Sequence, residues 1–297
     1  MEKTKILGTG LTGLVGSRVV ELLKHKYRFE QMSHAKGIDI VDRDAVTDMI
    51  AASEAKIVFH AAAKTDVEGC EQDRYEGVAG EAWYMNVYGT QNVADACRET
   101  GKKLIYISTG MVFGGGDTPE GGYREDSKTH PLSWYAQTKY EGEKVVKALD
   151  TPWVIMRIDY PYRAKFLKLD FVRLFLKFLQ EKKEVSIVTD HKFNPTYIDD
   201  IAFALDTLIQ KEATGVYHVA GSETVTPYEA IKKIAEMWDL DMSNVKETTR
   251  HEFFKGKAPR GFDLTMNNDK IRELGVQMRT FTEGLEEIKK SLEETIS

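Results

Sequence analysis

Residues 3–26, "KTKILGTGLTGLVGSRVVELLKHK", decide the fold. The opening is a short apolar run and the middle is rich in glycine. The last part sets Val15, Val19, Leu22 and Leu23 at helical spacing. A strand, a tight turn and an amphipathic helix therefore follow one another directly. Glycines carry no Cβ, so such a turn lets a phosphate approach the backbone, and the N–H groups that open the helix face it. Two registers fit: G-x-G-x-x-G on Gly8, Gly10 and Gly13, and G-x-x-G-x-x-G on Gly10, Gly13 and Gly16. The context reads as a dinucleotide-binding loop, against the plainer reading of a flexible turn with packing glycines.

The same alternation continues outward. "YRFEQM" (27–32) reads as a second strand and "DRDAVTDMIAAS" (42–53) as a short helix capped by Asp42. "AKIVFHAAA" (55–63) is apolar almost throughout, as a strand buried on both faces must be. One long helix is expected over 83–100, then the strand "KKLIYIST" (102–109), a glycine-rich loop (114–122), a helix from about Ser133 and the strand "PWVIMRI" (152–158). This pattern predicts an α/β fold, a Rossmann-type doubly wound parallel sheet. After Arg157 the pattern changes, and beyond "GVYHVAG" (215–221) the chain reads as mostly helical. We expect residues 1–160 and 193–215 to form the dinucleotide-binding domain. Residues 161–192 and 216–297 are expected to form a smaller, mostly helical substrate-binding region.

Composition narrows the function. No apolar run approaches the roughly 20 residues of a membrane helix, so no membrane partner is expected. The opening residues do not read as a signal peptide, because glycines interrupt the apolar run early. A net charge of −6 without a basic patch argues against nucleic acid. Cys70 and Cys97 have no metal-ligand or C-x-x-C spacing, so they read as buried thiols in a reducing, cytoplasmic setting, and no metal is expected.

The pattern Y-x-x-x-K occurs as Tyr135/Lys139, Tyr140/Lys144 and Tyr228/Lys232. Ligands of a doubly wound sheet sit at the carboxyl ends of its strands, which places Ser108 and Thr109 in the crevice. A helix starting near Ser133 presents Tyr135 and Lys139 on one face toward that crevice, since i and i+4 are neighbours. Tyr140 is turned away, and Tyr228 follows no hydroxyl-bearing strand end. Tyrosine and lysine ionise near roughly 10 and 10.4. An adjacent ammonium, joined by oxidised nicotinamide, is expected to lower the tyrosine and let it exchange a proton with a carbonyl oxygen. Thr109 would hydrogen-bond the same oxygen, and Lys139 would also hold the ribose. The plainer reading is an ordinary amphipathic helix.

A fold that prefers NAD places an acid at the end of the second strand. Here Glu30 falls inside the strand, and Ser33, His34 and Lys36 follow it. A hydroxyl and a cation suit a 2′-phosphate better. The cofactor is therefore read as NADP or NAD, with NADPH preferred.

Together these residues resemble the extended short-chain dehydrogenase/reductase family, and within it the dTDP-4-dehydrorhamnose reductase branch. The resemblance runs through "TGLTGLVG", "HAAAKTDV", "NVYGTQNVADAC", "ISTGMVFGG", "YAQTK", "NPTYIDDIA", "GVYHVAGSE" and "APRGFDLTMNNDKI". It implies Thr109, Tyr135 and Lys139 as the catalytic set. It implies cofactor contacts from Gly10, Gly13, Leu14, Val15, Gly16, Asp39, Ile40, Ala61, Ala62 and Ala63; Thr12 of the glycine turn, Ser33 after the second strand, and Ser108, Tyr135 and Lys139 at the crevice complete the expected set. The implied activity is hydride transfer from NAD(P)H to a keto group of a nucleotide-sugar, by a protein that would suit a homodimer. There are departures. The branch reads S-T-D-Y-V-F where this chain has Gly110 and Met111, V-D-K-A-E where it has "VEGCE", and R-P-x-N-S where it has "PRGFD". These fall on the substrate side. A nucleotide-sugar epimerase, or a non-catalytic cofactor-holding regulatory subunit, is the alternative.

Overall fold

Strands buried on both faces must satisfy their backbone groups through neighbours, and the apolar runs of this chain do so side by side. The computed structural model describes residues 3–294. The alternating half runs β1 (Thr4–Thr9), α1 (Leu14–Leu23), β2 (Tyr27–Met32), α2 (Arg43–Ala52), β3 (Ile57–His60), α3 (Val67–Gln72), α4 (Glu81–Trp83), α5 (Gly89–Thr100), β4 (Lys103–Thr109), α6 (Trp134–Lys147) and β5 (Trp153–Ile158). The second half adds β6 (Pro161–Tyr162), α7 (Phe171–Gln180), β7 (Val185–Val188), β8 (Thr196–Tyr197), α8 (Ile198–Gln210), β9 (Gly215–His218), α9 (Pro227–Trp238), β10 (Val245–Thr248), α10 (Arg250–Phe253), α11 (Asp269–Glu273) and α12 (Phe281–Glu293).

Six strands form one parallel sheet in the order β2-β1-β3-β4-β5-β9. Chain direction across the sheet reverses between β1 and β3, so the connections leaving their carboxyl ends diverge and open a crevice. Thr9 is level with His60, and Thr109 with Ile158. The ends that carry polar residues thus share one rim. Helices cover both faces. Val19, Ile6, Phe59, Ile201 and Leu205 pack one side, and Leu7, Val58, Val93, Leu104 and Val146 the other. Burying side chains of this size contributes about 1.5–3 kcal/mol each. A third core gathers Tyr162, Val172, Leu176, Ile231, Phe281 and Leu285 from the second half.

The expected elements of the alternating half form, with one difference. The helix expected over 83–100 is broken: after α4 the backbone takes a wider π turn over Tyr84–Tyr88 before α5 begins. Asn86 lies buried in that turn, and its side chain bonds Lys64 and Thr138. A π turn is not visible in a 3.6-residue pattern.

Polar ties lock the second half to the first. Arg163 donates to Ser17 Oγ at 2.9 Å and to the Glu21 carboxylate on α1. Arg18 makes a two-pronged pair with Asp199 at 2.7 and 2.6 Å, and the Tyr27 hydroxyl donates to Asp206. Both cysteines are buried and unpaired, with burial pushing each thiol up to about 12. Among the described residues no helix is long and apolar enough to cross a membrane, and no cluster of metal-ligating side chains forms.

Candidate active site

The glycine turn is shaped by contacts that only hydrogen tolerates. Gly10 has φ +68°, and a Cβ there would lie 2.5 Å from the Ala62 nitrogen. A Cβ on Gly16 would lie 2.3 Å from the Gly10 carbonyl oxygen. Gly10 lets the turn close onto the loop after β3, and Gly16 lets α1 close onto the turn. Gly13 differs: its only near neighbour is the Gly10 oxygen at 3.2 Å, and it caps α1 without a side-chain bond. Its surroundings stay open to a ligand, and the first N–H groups of α1 point there.

Opposite this turn, α6 is held by a buried polar chain. Thr9 Oγ1 meets His60 Nδ1 at 2.6 Å, His60 Nε2 meets Thr90 Oγ1 at 3.1 Å, and Thr90 donates to the Asn86 carbonyl. Asn86 Nδ2 then donates to Thr138 Oγ1 on α6 at 2.9 Å. Burial, helped by Lys139, holds His60 down to about 3, so it stays a neutral relay. Gly142 lets α6 approach β4, because a Cβ there would sit 2.5 Å from the Tyr106 hydroxyl. Ser133 caps the helix through the Ala136 N–H.

A cleft of about 610 Å³ lies between these walls. Gly10, Thr12, Gly13, Leu14, Val15, Gly16, Ala61, Ala62, Ala63, Ser108, Thr109, Tyr135 and Lys139 all line it. Ser33, Asp39 and Ile40 do not. Ser33 follows β2 and its buried Oγ has no partner. Asp39 faces His34 at 3.6 Å, and Ile40 is buried with its carbonyl accepting from Asn92. Glu30 is spent on Ser53, 2.6 Å away. The other two tyrosine–lysine pairs stand apart. Lys144 lies over the Tyr140 ring, and Tyr228 packs against the third core.

Lys139 is 3% exposed, and its ammonium stands over the Tyr106 ring. Burial lowers it to about 7, with Glu143 opposing the shift. Tyr135 and Thr109 line the same cleft. The lowering expected for Tyr135 is not produced by the protein's own groups. Burial raises it above its ordinary value, the neighbouring Cys70 and Asp159 add to this, and the Thr109 side chain opposes the rise. Ser108 also differs from its expected use: its hydroxyl donates to Glu143 at 2.7 Å. Glu143 is fully buried and takes two bonds from Arg157, at 2.8 and 2.7 Å. Burial alone would raise Glu143, but Arg157, Lys147 and Ser108 hold it below the usual carboxylate value.

The far wall contains residues that the sequence reading passed over: Thr65, Met85, Asp159, Tyr160, Phe171 and Arg260. Asp159 directly follows β5, so the strand-end rule that singled out Ser108 and Thr109 also marks it. Arg260 sits in an irregular loop and carries no such signal. It donates to Glu68 at 3.0 Å and to the Ala258 carbonyl at 2.9 Å.

Compared with known proteins, residues 4–294 match the family described as RmlD substrate binding domain. The spore coat polysaccharide biosynthesis protein SpsK of Bacillus subtilis is 29% identical, with 96% of each chain covered. The methionine adenosyltransferase 2 subunit beta of Xenopus laevis is 27% identical over 95% of this chain and 86% of its own. Among solved structures, a dTDP-4-dehydrorhamnose reductase from Bacillus anthracis, in complex with NADP, superposes with a TM-score of 0.88. It shares 30% identity and covers 98% of this chain and 100% of its own.

Proposed function

The chain belongs to the RmlD substrate binding domain family, of the extended short-chain dehydrogenase/reductase type, and on that footing we propose that it is a reductase of nucleotide-sugars. NADPH or NADH supplies the hydride that reduces a keto group of the sugar. One observation carries the reading: Thr109, Tyr135 and Lys139 line the same cleft as the glycine turn, while the other two tyrosine–lysine pairs lie elsewhere.

The residues present fit such a cofactor. Gly13 leaves open space at an uncapped helix start, and the Ser33 hydroxyl is buried without a partner beyond the second strand. Gly10 to Gly16 would hold the pyrophosphate, and Ala61 to Ala63 the adjoining wall. Ser33, Asp39 and Ile40 would lie toward the adenosine. NADPH is the preferred form in this reading, supported by the engagement of Glu30 with Ser53 and by His34 and Lys36 beside Ser33. Lys139 holds the ribose hydroxyls and favours negative charge beside it. Tyr135 donates its proton to the carbonyl oxygen as that oxygen gains charge, and Thr109 steadies the same oxygen by a hydrogen bond. The excursions over 161–192 and 216–297 would supply the sugar-facing side. A cytoplasmic setting and a homodimer complete the proposal; the two unpaired cysteines support the former.

A second reading is a cofactor-holding subunit without turnover. The match to a methionine adenosyltransferase subunit, and Gly110 and Met111 beside Thr109, support it. The deciding experiment offers nucleotide-linked 4-ketosugars, dTDP-4-dehydrorhamnose first, with NADPH and with NADH. The reductase reading expects oxidation of the cofactor in the presence of at least one sugar. Tight NADPH binding in calorimetry without any turnover would overturn it in favour of the subunit.

A further inference from the structure

We propose that Asp159 determines substrate specificity: its carboxyl hydrogen-bonds a hydroxyl on the sugar carbon next to the one being reduced. The inference rests on the nucleotide-sugar reading above.

Asp159 follows β5, is 2% exposed and lines the cleft with Thr109 and Tyr135. Its charge reaches the Tyr135 hydroxyl. The glycine at residue 110 lets the carboxyl and the Met266 side chain pack closely against the backbone there. A Cβ there would lie 3.4 Å from Asp159 Cγ and 2.8 Å from Met266 Cε. Residue 110 directly follows Thr109, so the carboxyl lies beside the group assigned to the reacting oxygen, where a substituent of the neighbouring sugar carbon would reach it.

The carboxyl is mounted on a rigid frame. Asp159 Oδ2 accepts the Asn194 N–H at 3.0 Å. Asn194 in turn accepts the Met266 N–H at 2.8 Å and donates to Gly221 and Thr224. The next residue, Tyr160, has φ +36°, a strained conformation for a bulky side chain. It is held there by the Phe193 ring at 4.1 Å and by a bond between its hydroxyl and His191 Nε2 at 3.1 Å. Strain kept in place by several contacts is a mark of a functional position.

No cation pairs with Asp159 among the described residues. Nearby Arg260 is taken by Glu68 and by backbone carbonyls. A buried, unpaired carboxyl is costly and is not kept for packing. Burial pushes it up to about 7, against the bonds from Asn194 and Tyr160 N–H. Near neutrality it is therefore present both with and without its proton. A hydroxyl answers both forms, accepting from one and donating to the other, whereas an ammonium answers only the ionised form.

The test compares kcat/KM for dTDP-4-dehydrorhamnose and for its 3-deoxy analogue, with NADPH. A site built around a substrate hydroxyl discriminates strongly against its absence, so the wild-type protein is expected to favour the hydroxylated sugar by about 10²-fold or more. Asp159→Ala should bring the two sugars within a few-fold of each other while NADPH affinity stays at its wild-type value. Asp159→Asn keeps the shape and an oxygen for Asn194, and should retain part of the preference. A wild-type preference that survives in Asp159→Ala would overturn the proposal. So would equal losses on both sugars in Asp159→Asn, which would mark a structural role. If the wild-type protein binds NADPH but reduces no ketosugar, the reductase reading falls and this inference falls with it.

Discussion

The Lys139 ammonium stands 4.0 Å from the centre of the Tyr106 ring, and among the described residues no carboxylate grips it. Glu143, one turn further along α6, is bonded to Arg157 instead. The lysine charge is thus kept near the cleft by a ring face and left free for a ligand. Because burial lowers Lys139 from 10.5 to about 7, the folded protein holds fewer protons than the unfolded chain between those values. Its cost to stability is full below about pH 7, shrinks as pH rises, and is gone above 10.5. Lys139→Met should therefore be more stable than wild type at pH 6, by about 1–3 kcal/mol in urea titrations, and lose that advantage toward pH 10. The same variant should bind NADPH at least about tenfold more weakly and turn over more slowly. A variant less stable at pH 6 would contradict the account.

Tyr135→Phe keeps the ring and removes the acid. Acid–base catalysis is typically worth about 10²–10⁴-fold, so kcat should drop by at least ~10²-fold with NADPH affinity nearly unchanged. Tyr140→Phe and Tyr228→Phe preserve a Y-x-x-x-K partner away from the cleft and should stay within a few-fold of wild type. Steady-state kinetics on any sugar that is turned over decides between the three pairs.

Two glycines of the turn, Gly13 and Gly16, should behave differently. Gly13→Ala meets only the Gly10 oxygen, so the protein should melt within a few degrees of wild type yet bind NADPH at least about tenfold more weakly. Gly13→Val should bind more weakly still. Gly16→Ala drives a Cβ into backbone and should cost about 1–3 kcal/mol or more of stability, with or without cofactor. Calorimetric binding and thermal melts on the same samples separate the two effects.

Glu143 and Arg157 are 0% and 1% exposed and bonded twice to each other. Removing Glu143 leaves the buried Arg157 charge alone, so Glu143→Gln should cost about 3–5 kcal/mol, and Arg157→Met should cost less because Lys147 and Ser108 still hold Glu143. The double variant Glu143→Gln/Arg157→Met should recover part of that loss. Additive losses in urea unfolding would show that the two do not act as a pair.

Much of this was readable in the chain because it rests on local pattern. The glycine turn, the strands and the choice of Tyr135 over Tyr140 all follow from period and from strand ends. What escaped depends on distant segments meeting. Arg260 reaches the cleft from a loop that Glu68 of α3 bonds at Ala258 and at Arg260 itself. The Ser108 hydroxyl was expected to face a ligand, but Arg157, 49 positions away, orients Glu143 to take it. The π turn at Tyr84–Tyr88 leaves no trace in hydrophobic spacing. Asp159 was within reach of the strand-end rule, and only its acidity hid it among more familiar hydroxyls.

The sixth strand of the sheet, β9, comes from residues 215–218, after the chain has travelled through α7 and α8. During synthesis the sheet therefore waits with β5 as an open edge until those residues emerge. An exposed edge of buried-type strand is a template for wrong pairing. The helix that seals one face, α8, arrives equally late, bringing Asp199 and Asp206 to Arg18 and Tyr27. A nascent chain stalled at residue 160 would carry five sheet strands and no closure, and would be a substrate for chaperones. Ribosome-bound chains should resist protease only once length passes the β9 segment, so the molecule matures as one piece late in translation.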